Sequence, residues 1–455
     1  MNVAAFARKE PQIPPTQAAG HQRYVALALI TLALTLSTAN RATLGVAAPG
    51  LSKDLGLSPV EMGWLFSAFA WTYAFGQVPA GWIVDRTGAR KLMLWGLIAW
   101  SFTTMMMALI KWLPWPFFVL GLLRLLLGLF ETPGGPASGR VIAAWFPASE
   151  RGVAGSVFNS AQYLALILFL PLMGWLASAF SWREVFWVLG ALGLLAAGLW
   201  ARFYYAPKRS PYLGAAELEY ISHGGALTDL DSHEGADRAQ PEKIGLTDIA
   251  MLFRSRMLIG IFLGQYCINA LTWFFVSWFP TYLVKGLGLT ILAAGFMAVL
   301  PAFLGLLGSL CSGLFSDWLL RRGISLTLAR KIPITLGLLV TNVMLACIYF
   351  RSNLLVTLAM SIALFGKGIS SGMVWTLIAD AAPRRMTGLT GGISNAFANL
   401  AGVVTPVVIG YILAATGSFD GVLIYVCAHS LGGLASYWLL VGRLKRLELP
   451  DAAAA

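Results

Sequence analysis

An arginine stands alone in the stretch TANRATLGV, residues 38–46: Arg41 is the only charged residue between Tyr24 and Ser52. Its guanidinium is planar, stays charged at any working pH, and can hold a carboxylate through two parallel hydrogen bonds. The plainer alternative is a side chain that snorkels to a polar boundary. A second pair stands in RLLLGLFETPGGP (124–136), where Arg124 and Glu131 are seven residues apart. Seven steps of about 100° bring both onto nearly one helical face, roughly 10 Å apart along the axis. That is too far for a direct ion pair of the i,i+4 kind and leaves room for a ligand or water between them. Glycines and a proline follow (Gly134, Gly135, Pro136) and suggest a bend or close helix contact.

Neutral polar groups recur at helical spacing in other apolar runs: Tyr73 and Gln77; Asn159, Gln162 and Tyr163; Gln265, Asn269 and Trp273; Asn395 and Asn399. Amides and phenols supply the donors and acceptors that a polyhydroxylated ligand needs, and Trp375 can stack on its carbon chain. Hydrogen bonding between helices is the competing use of each. Lys367, in FGKGISSG, is a further cation in an apolar run. It either lines a cavity or serves its own helix.

The elements that must position these residues follow from composition. Of 455 residues, 58% are hydrophobic and 11% charged, against about 25% charged in a soluble domain. The chain therefore reads as an all-α integral membrane protein, because its apolar runs are about 20 residues long and do not alternate. Twelve runs are marked, near 24–48, 60–83, 92–111, 116–139, 153–178, 183–205, 257–284, 291–316, 331–350, 354–379, 388–415 and 420–441. The polar stretch 206–256, with Asp229, Asp231, Asp237 and Asp248, divides them six and six. The expected organisation is a tail (1–23), a six-helix bundle (24–205), an interdomain loop (206–256), a second bundle (257–441) and a tail (442–455). With both termini cytoplasmic, about 23 of the 32 Lys and Arg face the cytosol, which sets the expected orientation. The net charge of +12 is thus explained by the loops and calls for no nucleic acid.

The halves repeat. GWIVDR (81–86) is echoed by GLFSDW (313–318), placing Gly81 opposite Gly313 and Asp85 opposite Asp317. PASERGVAGSVFN (147–159) aligns with PRRMTGLTGGISN (383–395), matching Asn159 with Asn395. Parallel six-helix repeats with a ligand between them are the pattern of major facilitator transporters.

The run GWIVDRTGARKLML (81–94) resembles the loop signature of the major facilitator superfamily. The segments VFNSAQY (157–163), FLGQYCINALTWFFVSWFPTYLV (262–284), FSDWLLRRGISLTLARK (315–331) and AAELEYISHGGAL (215–227) resemble its anion:cation symporters, in particular bacterial glucarate/galactarate transporters. The resemblance implies a substrate site that includes Arg41, Tyr73, Gln162, Gln265, Asn269, Trp375, Asn395 and Asn399. It implies proton coupling through Glu131 with Arg124 and the residue at 40. The family carries aspartate there, and this chain carries Asn40. It also implies a cytoplasmic gate of Gly81, Asp85, Arg86, Arg90 and Asp317, in which Asp85 meets the other half and Glu150 and Arg151 join the network.

The expectation is a proton symporter importing a sugar-acid anion, monomeric, in the inner membrane. Its partners are the organic anion and the bilayer; protons are the coupling ion, and no metal or other cofactor is expected. No G-x-x-x-x-G-K-[ST] motif, Ser-His-Asp grouping or metal cluster argues for an enzyme or an ATP-driven pump. Two alternatives are an uncoupled facilitator or exchanger, motivated by Asn40, and a non-transporting membrane sensor.

Overall fold

The structure is a computed structural model that describes residues 20–230, 246–383 and 386–448. The tail 1–19, Asp231, Asp237, and the end of the C-terminal tail lie outside the described residues. Those described form helices and no strand. The first six long helices are α1 (Gln22–Leu55), α2 (Pro59–Thr87), α3 (Ala89–Met107), α4 (Pro116–Trp145), α5 (Arg151–Ala179) and α6 (Trp182–Phe203). Two short helices follow, α7 (Ala215–His223) and α8 (Leu246–Arg254). The last six are α9 (Arg256–Gly286), α10 (Ile291–Arg321), α11 (Leu326–Ile348), α12 (Asn353–Ala381), α13 (Thr387–Thr416) and α14 (Asp420–Leu440). Among the described residues ten of these are long and apolar enough to cross a membrane. The other two, α2 and α3, carry more charged, aromatic and hydroxyl side chains and pack within the same bundle.

Helix starts follow from short polar residues. Ser58 caps α2 in a reciprocal box with Glu61, with Pro59 in the first turn, and Ser181 caps α6. Such caps satisfy backbone N–H groups that have no partner inside the helix. Within the apolar runs, Thr35, Ser101 and Thr357 donate to carbonyls four residues back, which hides their hydroxyls from the hydrocarbon. Two helices are irregular where the cavity lies against them. α4 is interrupted at Thr132 and Pro133, and α9 widens into a π-helical turn at Phe274–Trp278.

Within the first half α1 packs on α5 and α6, α2 on α4, and α3 on α6; within the second, α10 and α11 flank α12, and α9 packs on α13 and α14. The halves meet along α2 with α13, α5 with α10 and α1 with α9. At the end away from the chain termini these meetings are backbone to backbone. A Cβ on Gly63 would lie 2.6 Å from the Pro406 carbonyl oxygen, and one on Gly410 would lie 2.6 Å from that of Pro59. Gly45 and the pair Gly174 and Gly295 make equally close approaches to α9 and between α5 and α10. Small residues at such seams are what lets membrane helices touch. At the opposite end a Cβ on Gly81, Gly152, Gly155 or Gly313 would meet nothing within 4 Å. The halves are therefore closed at one end and parted at the other.

The stretch after α6 is more than a linker. Glu217 of α7 accepts from the backbone N–H of Gln22 and Arg23 and from Arg23 Nη1 (3.1–3.2 Å), at the start of α1. Arg23 also pairs with Glu150, which accepts from Tyr220 at 2.7 Å. That bond to a carboxylate holds the Tyr220 hydroxyl above its ordinary pKa.

Candidate functional site

A cavity of about 750 Å³ lies between the halves. Arg41, Tyr73 and Glu131 line its deep part; Ser138, Arg151 and Gly152 line it near the parted end. All eight candidate ligand residues line it, from α1 (Arg41), α2 (Tyr73), α5 (Gln162), α9 (Gln265, Asn269), α12 (Trp375) and α13 (Asn395, Asn399).

Arg41 does not face the cavity unaccompanied. Its Nε donates to Glu131 Oε2 at 3.2 Å and its Nη2 to Ser37 Oγ at 3.1 Å. The guanidinium lies 4.3 Å from the centroid of the Tyr73 ring and 5.1 Å from that of Phe69, two cation–π contacts that hold its plane. Glu131 is 1% exposed and fully engaged: Ser37 donates to Oε2 at 2.6 Å and Asn40 donates to Oε1 at 3.2 Å. Thr104 in turn donates to Asn40 Oδ1 at 3.0 Å, which orients the amide with its NH₂ toward the glutamate. Asn40 itself is buried behind the cavity wall.

Arg124 departs from expectation. It shares a helix with Glu131 but does not line the cavity, and no ligand-sized gap separates the two. Its Nε donates to the Leu65 carbonyl at 3.2 Å and its guanidinium stacks 5.3 Å from the Phe69 centroid, on a ring that Arg41 also meets. The partner of Glu131 is Arg41, because α1 passes closer to it than the next turn of its own helix.

The amides keep one N–H occupied and offer the rest. Asn269 donates to the Gln265 carbonyl (3.0 Å) and Asn399 to that of Asn395 (2.9 Å), four residues back in each case. Asn395 donates to Gln77 Oε1 at 2.7 Å, joining α13 to α2 across the halves. The Gln265 carbonyl oxygen is buried and has no protein donor. Trp375 presents 56% of its surface to the space. Tyr163 OH lies 3.4 Å from Ser371 Oγ of the facing half.

The gate candidates are arranged within each half. Asp85 pairs with Arg140 of its own half (2.7 Å), not with the other half, and Arg140 also donates to the Leu230 carbonyl after α7. Arg86 stacks on Trp82 (3.6 Å), while Arg90 stacks on Tyr205 (3.9 Å) and donates to the Ala201 carbonyl, anchoring α6. Glu150 belongs to the Arg23 cluster, and Arg151 donates to the carbonyls of Phe146, Ala143 and Gly225. Asp317 lies 3.9 Å from Arg330, which bonds Asp380 at 2.8 Å. Gly81 faces open space. Sequence reasoning passed over Arg330 and Arg140. The signal for Arg330 was present, since ARK at 329–331 repeats ARK at 89–91.

A bundle of long apolar helices in two repeated halves, with a polar cavity between them reached from one end, defines a multi-pass membrane transporter. The sequence model of the Major Facilitator Superfamily matches residues 30–406, and the chain belongs to that family. It is 44% identical over 433 residues to "Probable galactarate/D-glucarate transporter GudP" of Escherichia coli (strain K12), covering 95% of this chain and 96% of that one. It is 37% identical to a "D-galactonate transporter" of Escherichia coli O6:H1, covering 94% and 97%. Among solved structures it resembles a D-xylose-proton symporter (TM-score 0.69, 15% identity, covering 93% and 98%). It also resembles a bacterial homologue of the lysosomal transporter Spinster in an inward-facing, unoccupied conformation (TM-score 0.67, 19% identity, covering 92% and 95%).

Proposed function

We propose that this protein imports a sugar-acid anion together with protons, by rocking of its two halves around the central cavity. The observation that carries the reading is the Arg41–Glu131 pair at 3.2 Å in the deep part of an amide-lined cavity. A substrate carboxylate is chemically equivalent to the Glu131 carboxylate and competes for the same guanidinium. When Arg41 turns to the substrate, Glu131 is left buried without its counter-charge, which costs several kcal/mol unless a proton neutralises it. One guanidinium shared between two carboxylates thus ties anion binding to proton uptake. The names of the relatives at 37–44% identity supply the substrate class, and the amides with Trp375 suit a polyhydroxylated chain.

The basic loops favour an inner membrane with both termini in the cytoplasm. In that orientation the parted end opens inward, and the glycine seam closes the outer side. The charge pairs Asp85–Arg140 and Asp317–Arg330–Asp380 then lie at the cytoplasmic mouth, where they would set the balance between conformations. Asn40 favours a second reading, uncoupled exchange, because it leaves Glu131 as the only carboxylate lining the cavity.

Uptake of labelled glucarate into proteoliposomes decides between them. Symport predicts accumulation driven by a pH gradient, lost in Glu131→Gln while glucarate-for-glucarate exchange persists. Gradient-independent uptake by the unaltered protein would refute coupling, and absence of glucarate transport would refute the substrate class.

A further inference from the structure

We infer that Lys367 is the second anion-binding cation of the cavity. It receives the far carboxylate of a dicarboxylate and so selects dianions over monoanions. The inference rests on the sugar-acid reading above and adds the charge class of the substrate.

Four charged residues line the cavity: Arg41, Arg151, Lys367 and Glu131. Three cations against one carboxylate leave a formal surplus of two positive charges. Two of the cations are engaged, Arg41 by Glu131 and Arg151 by three backbone carbonyls. Lys367 is 7% exposed, and among the described residues it has no hydrogen bond or ion pair. Its one charge contact is the Tyr163 ring, with Nζ 5.6 Å from the centroid. At that range a cation–π contact is weak compensation for an ammonium drawn out of water. An intramembrane cation held this way is explained when a ligand supplies the counter-charge.

The local sequence fixes where this ammonium can point. In the run Gly366-Lys367-Gly368 a Cβ on the first glycine would strike the Gly337 carbonyl of α11, and one on the second the Gly305 carbonyl of α10. The neighbouring backbones press on both sides of α12, and the cavity is the direction left to the side chain. The two cations also stand on different halves, Arg41 on α1 and Lys367 on α12. A dianion that reached both would act as a cross-link between the halves; a monoanion satisfies one of them and leaves the other unpaired.

The test is calorimetric binding of D-glucarate, a dianion, and D-gluconate, a monoanion of the same carbon count, to the purified full chain. The unaltered protein should prefer glucarate by about tenfold or more, and Lys367→Gln should weaken glucarate by about tenfold while moving gluconate by no more than about twofold. Lys367→Arg should keep the preference. Equal weakening of both acids, or none of either, overturns the assignment. If Lys367→Gln fails to fold, equal affinities in the unaltered protein, or a lost preference in Lys367→Arg, overturn it instead. An unaltered protein that binds neither acid overturns the sugar-acid reading itself; binding of both acids with an unchanged ratio in Lys367→Gln overturns only the role of Lys367.

Discussion

Glu217 offers the clearest energetic test of how the interdomain segment is built into the fold. It is 2% exposed and accepts three hydrogen bonds at the start of α1: from Gln22 N (3.1 Å), Arg23 N (3.2 Å) and Arg23 Nη1 (3.1 Å). The first turn of α1 holds no acidic residue of its own, and His21 gives no side-chain cap. A carboxylate from another helix therefore does the capping and meets the positive end of the helix dipole. Breaking a buried ion pair by removing one partner typically costs about 3–5 kcal/mol. Arg23 keeps Glu150, Gly20 and Tyr24 as partners, so Glu217→Ala belongs below that range, at about 2–3 kcal/mol. For a cooperative unit of about 180 residues that is a fall of roughly 4–12 °C in melting temperature. Glu217→Gln keeps an acceptor and should cost about half as much. The exposed Glu219, two residues on, serves as the control and should shift it little. Thermal unfolding of the purified protein in detergent reads all three. A Glu217→Ala variant that melts with the unaltered protein would mean that α7 merely rests on the first bundle.

Three further outcomes are expected. Asn40→Asp would set a second carboxylate about 3.2 Å from that of Glu131, a repulsion of roughly 5 kcal/mol at an effective dielectric near 20; the two groups should then share a proton, and the reversal potential should report a higher proton-to-substrate ratio. Arg41→Lys should weaken substrate binding by about tenfold or more, because a point charge does not replace the fork, whereas Arg124→Lys, outside the cavity lining, should lower the melting temperature and leave affinity within about twofold, both read by calorimetry. Gly45→Val would drive a side chain into the Ser277 and Val276 carbonyl oxygens, which lie 2.7 and 2.9 Å from a Cβ there; spin-label distances between α1 and α9 should widen at that end, and uptake should fall.

Much of the architecture was legible because hydropathy is a local property. Twenty apolar residues announce a span whatever surrounds them, and a polar residue among them announces either a cavity or a helix contact. That is why Arg41, Gln162 and Asn269 could be marked before their neighbours were known. What a single helix cannot reveal is which neighbour reaches a given side chain first. The face arithmetic that set Arg124 opposite Glu131 was sound for one helix, but α1 brings Arg41, Ser37 and Asn40 to the same glutamate. Asp85 was read toward the other half because its signature repeats there; in space Arg140 of its own half is nearer. The polar stretch after α6 read as a linker on composition, and only the tertiary fold shows Glu217 and Leu230 bonded to the first bundle.

The seam between the halves has a mechanical meaning. Among the described residues every ion pair lies within one half or joins the first half to the segment after α6; none spans the two bundles. What spans them is glycine on carbonyl and a few hydrogen bonds between neutral groups or from Lys285 to Ser52. Such a contact behaves as a smooth bearing. Its grip is dispersion, which weakens gradually with distance and has no charge to strip before one surface rolls on the other. Screening by salt touches it little, so the ease of rolling should be nearly the same in dilute and in concentrated electrolyte, while bulk added at the bearing surface should jam it.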